Sequence, residues 1–426
     1  MKLPLGGSRT WQPAGRRIAP VLLLSGLLGA LQPSLAPAQA IPKYDPGASD
    51  REITIGNTAP YSGPASALGT LGYAMAAYFE MVNAQGGVNG RKIRFISYDD
   101  AYSPPRTVEQ VRRLVEHDKV LLLCGTFGTP TNSAIYDYVN RNGIPHLFPV
   151  AGASKFNDPA GHPWTVAFTY PSSWAVGWAF ADYVSRHHPG VPIGILSQND
   201  DYGRDTVRGF KDRLGPAGQG WIALEQTYEV TDPALDSQVV ALKASGATVL
   251  VSALIPRSAV QVIRKMAETG WTPVHLTHGP SVSIEGVLKP AGAKAATGLI
   301  FGLWPDKDPE DARWADDPGV RGYREWMARY YPRGKLEDSF NVWAYNQAEA
   351  VVHVLRRAGD DLTRANILRV ATGLRGVQLS MQITGITLNT GPADHAPVEE
   401  GYLARFDGTK VERIELIKVP PRARTR

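Results

Sequence analysis

Val120-Leu121-Leu122-Leu123-Cys124-Gly125-Thr126-Phe127-Gly128-Thr129-Pro130-Thr131-Asn132 is the stretch on which the fold turns. An apolar run of strand length stops at a small, hydroxyl-rich loop, and that loop opens a helical pattern over about 131–142. Strand, glycine-rich loop and helix in that order make the unit from which parallel sheets are built. The unit repeats outward in both directions. Upstream lie candidate strands at Ile53–Asn57 and Ile93–Tyr98. Downstream come His146–Val150, Ile193–Ser197, Thr248–Ala253, Val274–Thr277 and Leu299–Leu303. Between them helical spacing runs over about 68–85, 105–117, 173–188, 203–214, 235–245 and 257–269, with a long helix later at about 340–358. The helix at 105–117 shows the period plainly, in Val108, Val111, Leu114 and Val115.

Eight strand–helix units are many for one open sheet, and the alternation breaks near Tyr170-Pro171-Ser172-Ser173 before restarting. The expected class is therefore α/β, with two doubly wound lobes. In such sheets ligands bind outside the carboxyl ends of the strands, so two facing lobes would enclose a cleft.

The 426 residues suffice for two cores. Of 45 basic residues, four (Lys2, Arg9, Arg16, Arg17) fall in the first forty, which hold no acidic residue. The remainder carries 41 against 40 and is almost neutral. No clustered cationic surplus is present to hold phosphates, so nucleic acid is not the expected partner. Those first forty residues read as a secretory signal peptide. A positive start is followed by the apolar Ile18–Leu31 and the small-residue site Ala38-Gln39-Ala40, with the cut expected after Ala40. No later apolar run approaches the roughly 20 residues of a membrane span. Cys124 is the only cysteine, which excludes an internal disulfide, and its place at the end of an apolar run suits a small buried hydrophobe. The tail 421–426 is basic.

Chemistry is sought at the strand ends. The loop at 124–132 and its neighbour Pro149-Val150-Ala151-Gly152-Ala153-Ser154 offer backbone N–H groups and hydroxyls to an anion. The first lacks the Gly-Lys-Ser/Thr ending of a nucleotide loop. Together they resemble a carboxylate cradle, though tight turns and helix caps explain the same composition. No Gly-x-Ser-x-Gly or His-Glu-x-x-His occurs. Asp99-Asp100 and Asp200-Asp201 fit loop capping. No catalytic residue, metal or cofactor is expected, and the chain is not expected to be an enzyme.

Several segments converge on a known family. Tyr61-Ser62-Gly63-Pro64, Asn83-Ala84-Gln85-Gly86-Gly87-Val88-Asn89-Gly90-Arg91, Asn142-Gly143-Ile144-Pro145 and Asp200-Asp201-Tyr202-Gly203 resemble the type I periplasmic binding proteins. These are the solute receptors of branched-chain amino acid-type (leucine/isoleucine/valine-binding-like) ABC importers. Thr129-Pro130-Thr131-Asn132, Gly152-Ala153-Ser154-Lys155, Pro163-Trp164-Thr165, Trp314-Ala315-Asp316-Asp317-Pro318-Gly319 and Asn389-Thr390 are similar to a subgroup in which some members take up aromatic carboxylates, including benzoate- and cinnamate-like acids.

The resemblance implies two Rossmann-like lobes joined by a three-crossover hinge, closing on one ligand in a central cleft. Lobe 1 would be 50–170 plus 304–378, and lobe 2 would be 171–303 plus 379–420. Ligand contacts are implied near Ser66, Phe127, Thr129, Thr131, Ala151 and Ala153 on lobe 1, and at Tyr202 on lobe 2. It further implies a periplasmic, monomeric receptor that hands its ligand to an inner-membrane ABC permease. Amino-acid receptors of the family pair the ligand ammonium with an acidic residue on lobe 2. Here Ser258 stands at that position with Arg257 beside it, which favours a carboxylate without an α-amino group. Tyr61 and Phe127 are candidate aromatic walls. Two readings remain open: Asp201 could supply the missing acid, and Arg257 could be a solvated first-turn residue. The alternatives are a branched-chain amino acid, amide or urea receptor of the same family and, in another class, an exported α/β hydrolase.

Overall fold

All eight expected strands form in the computed structural model, which describes residues 43–420. The leader expected over 1–40, with its cut after Ala40, and the tail 421–426 lie outside the described residues. Five strands make the first sheet: β2 (Glu52–Ala59), β3 (Lys92–Asp99), β4 (Leu122–Cys124), β5 (His146–Leu147) and β6 (Thr165–Val166). They are all parallel, in the order β3-β2-β4-β5-β6. Seven strands make the second: β7 (Ile193–Gln198), β8 (Ile222–Tyr228), β9 (Val249–Ala253), β10 (Val274–Thr277), β11 (Ile300–Trp304), β13 (Glu400–Phe406) and β14 (Val411–Lys418). Their order is β14-β13-β11-β10-β9-β7-β8. A small parallel pair, β1 (Lys43–Tyr44) with β12 (Asp361–Leu362), ties the described N-terminal end to the body.

The second sheet is not wholly parallel. β13 pairs antiparallel with both β11 and β14, so a hairpin closes one edge. Sequence reading also missed β8, the opposite edge strand. Its burial alternates residue by residue, and an edge strand with one wet face shows no apolar run.

Helices connect the strands: α1 (Thr70–Ala84), α2 (Pro104–Arg112), α3 (Thr129–Arg141), α4 (Ser173–His187), α5 (Asp201–Gln219), α6 (Asp236–Ala244) and α7 (Pro256–Thr269). Two short turns, α8 (Lys289–Ala291) and α9 (Ala293–Ala296), precede α10 (Pro318–Tyr330), α11 (Ser339–Ala358) and α12 (Arg364–Ala371). Local chemistry sets their starts. Proline stands in the first turn of α2, α3 and α7, where its missing N–H costs nothing. The carboxylates of Asp200, Asp317 and Asp338 accept the first N–H groups of α5, α10 and α11. α11 is buried along most of its length and packs against α1.

Past the ends of β6 and β11 the chain pairs with segments that lie between α12 and β13. Ala167 N–H donates to the His395 carbonyl at 2.9 Å, Lys307 N–H to that of Met381 at 2.8 Å, and Ile383 N–H to that of Pro305 at 2.8 Å.

The family-like segments mostly fold the chain. In Gly86–Arg91 a tight turn closes with Val88 and Arg91 exchanging backbone bonds of 2.8 and 2.9 Å. A side chain at Gly87 would put its Cβ 2.0 Å from the Arg91 carbonyl. The buried Arg91 then reaches Asp360 and the Tyr44 hydroxyl, both at 2.8 Å.

Candidate functional site

The loops that leave the carboxyl ends of both sheets line one cavity of roughly 670 Å3, counting the space open at its mouth. From the first sheet come Tyr102 after β3, Phe127 to Thr129 after β4, Val150 to Gly152 after β5, and Phe168, Tyr170 and Pro171 after β6. From the second come Tyr202 after β7, Ile255 after β9, His278 to Pro280 after β10, and the end of β11. Val176 of α4 and Trp343 of α11 complete the wall.

Each wall segment has an identifiable support. Beyond β4 and β5 the pairing continues into the loops, with Gly128 N–H bonded to the Val150 carbonyl at 2.9 Å and Phe127 to that of Thr58 at 3.0 Å. Gly128 has φ +101°, and a Cβ there would lie 2.4 Å from the Tyr102 ring, so only glycine fits. Ala101 and Tyr102 both take left-handed backbone, at φ 51° and 59°. That turn is held by Asp99 and Asp100, whose carboxylates accept the N–H groups of Ala101 and Tyr102 at 2.9 Å each. The costly backbone aims Tyr102 into the wall. On the other sheet, Asp200 accepts from Tyr202 and Gly203, and a Cβ at Gly203 would stand 2.1 Å from the Gln198 carbonyl. This close start of α5 seats the Tyr202 ring on the cavity.

β11 ends in an irregularity. Its register with β13 shifts between Phe301 and Trp304, and Leu303 has φ 55°. Successive residues of a regular strand face opposite ways, yet Leu303 and Trp304 both line the cavity; the bulge makes that possible.

No Asp, Glu, Lys or Arg is among the lining residues, whereas seven are Phe, Tyr or Trp. Trp343 stands 5.1 Å from Tyr170 and 6.1 Å from Trp304, centroid to centroid, and Tyr102 stands 5.7 Å from Phe127. Burial pushes the Tyr102, Tyr170 and Tyr202 phenols well above their ordinary range, so they stay neutral. The Thr129 hydroxyl accepts from Gly152 N–H at 3.2 Å, which leaves its own hydrogen to donate. Thr129 opens α3, whose first N–H groups lie outside the helical ladder. Behind the wall, Tyr170 donates to the fully buried Asp306, which also accepts from Asn346 at 2.9 Å.

Of the residues expected at the site, Phe127, Thr129, Ala151 and Tyr202 lie on the cavity. Thr131 does not, because its hydroxyl turns back onto the Phe127 and Gly128 carbonyls. Ala153 packs with Tyr136 and Phe156. Tyr61 is wedged beneath Gly72 and bonded to Ser97 at 2.6 Å, and burial raises its phenol to about 12. Asp201 faces outward, paired with Lys155 at 2.6 Å and Arg204 at 2.9 Å; burial alone would raise its carboxyl, but those cations outweigh it and lower it. Ser66 and Arg257 are exposed and meet in a separate groove with Pro64 and Val260. Arg257→Ala is therefore expected to change ligand affinity by less than about twofold in a titration, since an exposed side chain away from the cavity loses no contact.

Tyr102, Tyr170, His278, Trp304 and Trp343 were missed. A signal existed for three of them. Tyr102 follows the Asp99-Asp100 strand end, while His278 and Trp304 directly follow predicted strands. Trp343 sits mid-helix and carries no local sign. Among the described residues no three His, Cys, Asp or Glu side chains gather as a metal would require, and no helix is long and apolar enough to cross a membrane. Cys124 is buried, and that burial pushes its thiol up.

A family model described as periplasmic binding protein matches residues 52–410. The chain is similar to Leu/Ile/Val-binding protein homolog 2 of Brucella abortus (strain 2308), with 23% identity over 333 residues, 77% of this chain and 84% of that protein. Two solved structures share the fold. One is a branched-chain amino acid ABC transporter protein from Thermus thermophilus with bound valine, at TM-score 0.76 and 17% identity, covering 86% of this chain and 97% of that one. The other is an ABC transporter solute-binding protein from R. palustris in complex with benzoate, at TM-score 0.72 and 22% identity, covering 86% and 97%.

Proposed function

We infer that this chain, which belongs to the periplasmic binding protein family, captures a small aromatic carboxylate for an inner-membrane ABC permease. One observation carries the ligand class: the cavity is walled by aromatic rings and holds no Asp or Glu. An ammonium shut in that space would have no carboxylate to pair with, at a cost of several kcal/mol. An aromatic ring instead finds offset and edge-on partners on several sides. Its carboxylate is met by the Thr129 hydroxyl and the amino end of α3. A branched-chain amino acid, the alternative suggested by the names of the relatives, would leave its ammonium unpaired.

Capture is a hinge closure. The lobes, 50–170 plus 304–378 and 171–303 plus 379–420, turn about the stretches near Ala167, Asp306 and Gln382. Ligand favours the closed form because it touches both sheets only there. The leader, cut after Ala40, delivers the chain to the periplasm, and it works there as a monomer.

The test is a thermal-shift series on protein unfolded and refolded to strip carried-over ligand. At 100 times its dissociation constant a ligand adds about 2.7 kcal/mol, or about 3 °C for a chain this long. Benzoate or cinnamate should give that shift and leucine none. A shift with leucine or valine alone would sink the reading.

A further inference from the structure

We propose that the ligand carries, besides the carboxylate inferred above, an uncharged hydrogen-bond acceptor that is held by His278 and Trp343. The claim rests on that carboxylate reading and on two side chains it leaves unused.

His278 follows β10 and lines the cavity, its ring edge-on to Tyr202 at 5.0 Å and 75°. Its Nδ1 accepts the N–H of Gly279 at 3.1 Å. A neutral imidazole carries one N–H, so an accepting Nδ1 places the hydrogen on Nε2. Burial lowers the ring's pKa to about 3, which keeps it neutral at any physiological pH. Nε2–H has no partner, and neither does the indole N–H of Trp343; both nitrogens are shut off from solvent. The two residues adjoin through Gly279, where a Cβ would lie 3.0 and 3.2 Å from Cζ2 and Cη2 of Trp343. Cζ2 belongs to the side of the indole that carries the nitrogen, so that side faces the His278–Gly279 segment.

Two orphan donors on adjoining residues of an apolar wall are expensive, and a ligand oxygen that reaches them removes the penalty. The donors are neutral and no cation lines the cavity, so a ketone, ether or nitro oxygen suits them. A second carboxylate would be buried there uncompensated.

Matched probes of equal shape test this in titration calorimetry. 4-Acetylbenzoate and 4-isopropylbenzoate differ in a carbonyl, and the 3-substituted pair covers the other geometry. In the unaltered protein the acetyl member of one pair should bind about tenfold more tightly. Trp343→Phe and His278→Phe should each bring that ratio towards one, because the ratio cancels whatever packing change the two probes share. A ratio near one in both pairs of the unaltered protein, with benzoate still binding, overturns the proposal, as it would if water satisfied the donors. A ratio that persists in the folded variants overturns the assignment to these residues. If one variant fails to fold, the other and the unaltered pairs still decide. Failure of every benzoate to bind would instead overturn the carboxylate reading, and this inference with it.

Discussion

Gly177→Ala is expected to cost about 3 kcal/mol of stability, at the upper end for a single added methyl, and to lower the thermal midpoint by about 4 °C. The cause is a crossing of α4 and α5 at backbone contact. A Cβ on Gly177 would lie 1.9 Å from the Thr206 carbonyl, and one on Gly209 would lie 1.9 Å from that of Trp174. The obstacles are main-chain atoms, so no rotamer change relieves them and the helices must part. Parting would also move the cavity, because α4 carries Val176 and α5 begins beside Tyr202. Gly209→Ala should behave alike. Gly322→Ala is the control: it is in α10 with nothing within 4 Å of the added carbon, and it should be neutral or stabilising by up to about 1 kcal/mol. Equal midpoints for Gly177→Ala and Gly322→Ala would show that the helices do not touch as described.

The second large effect concerns pH. Burial without a cation raises the Asp306 carboxyl to about 8, against the modest downward pull of its bonds from Tyr170 and Asn346. In the unfolded chain the same group titrates near 4. Between those values the folded protein holds a proton that the unfolded chain has released. The Asp306 contribution to stability is thus complete below about pH 4, declines by about 1.4 kcal/mol per pH unit as pH rises, and is lost by about pH 8. Asp306→Asn keeps the shape, since the amide can accept from Asn346 and donate to the Tyr170 oxygen, but it cannot ionise. Relative to the unaltered protein, the variant should gain at least about 2 kcal/mol between pH 5 and pH 8 in denaturant titrations. Parallel pH profiles for the two proteins would show that Asp306 does not carry the buried proton. Because Asp306 bridges to Gln382 and holds the Tyr170 hydroxyl, the hinge proposed there would share this dependence.

Legibility from sequence followed burial geometry. Strands covered on both faces, such as β4, read as unbroken apolar runs and were found. β8 is an edge strand, and β13 and β14 are paired antiparallel at an edge; such strands alternate or mix with polar residues and were not. The loops after β4 and β5 were visible because glycine and hydroxyl residues crowd there directly after a strand, and both loops do line the cavity. Thr131 shows the limit, because whether a hydroxyl faces a ligand or its own backbone is a rotamer choice with no trace in composition.

By itself, then, the sequence determined the alternation of strand and helix, the α/β class and the family, each of which depends on local spacing and short motifs. Only the tertiary structure decided which side chains share the cavity. Tyr102, Tyr170, His278, Trp304 and Trp343 come from five separate segments, brought together by strand order and crossovers. It also decided that Arg257 and Asp201 point elsewhere, because a charged side chain near a strand end goes wherever water or a counter-ion can reach it. Long-range packing, not local pattern, left the cleft without a charge.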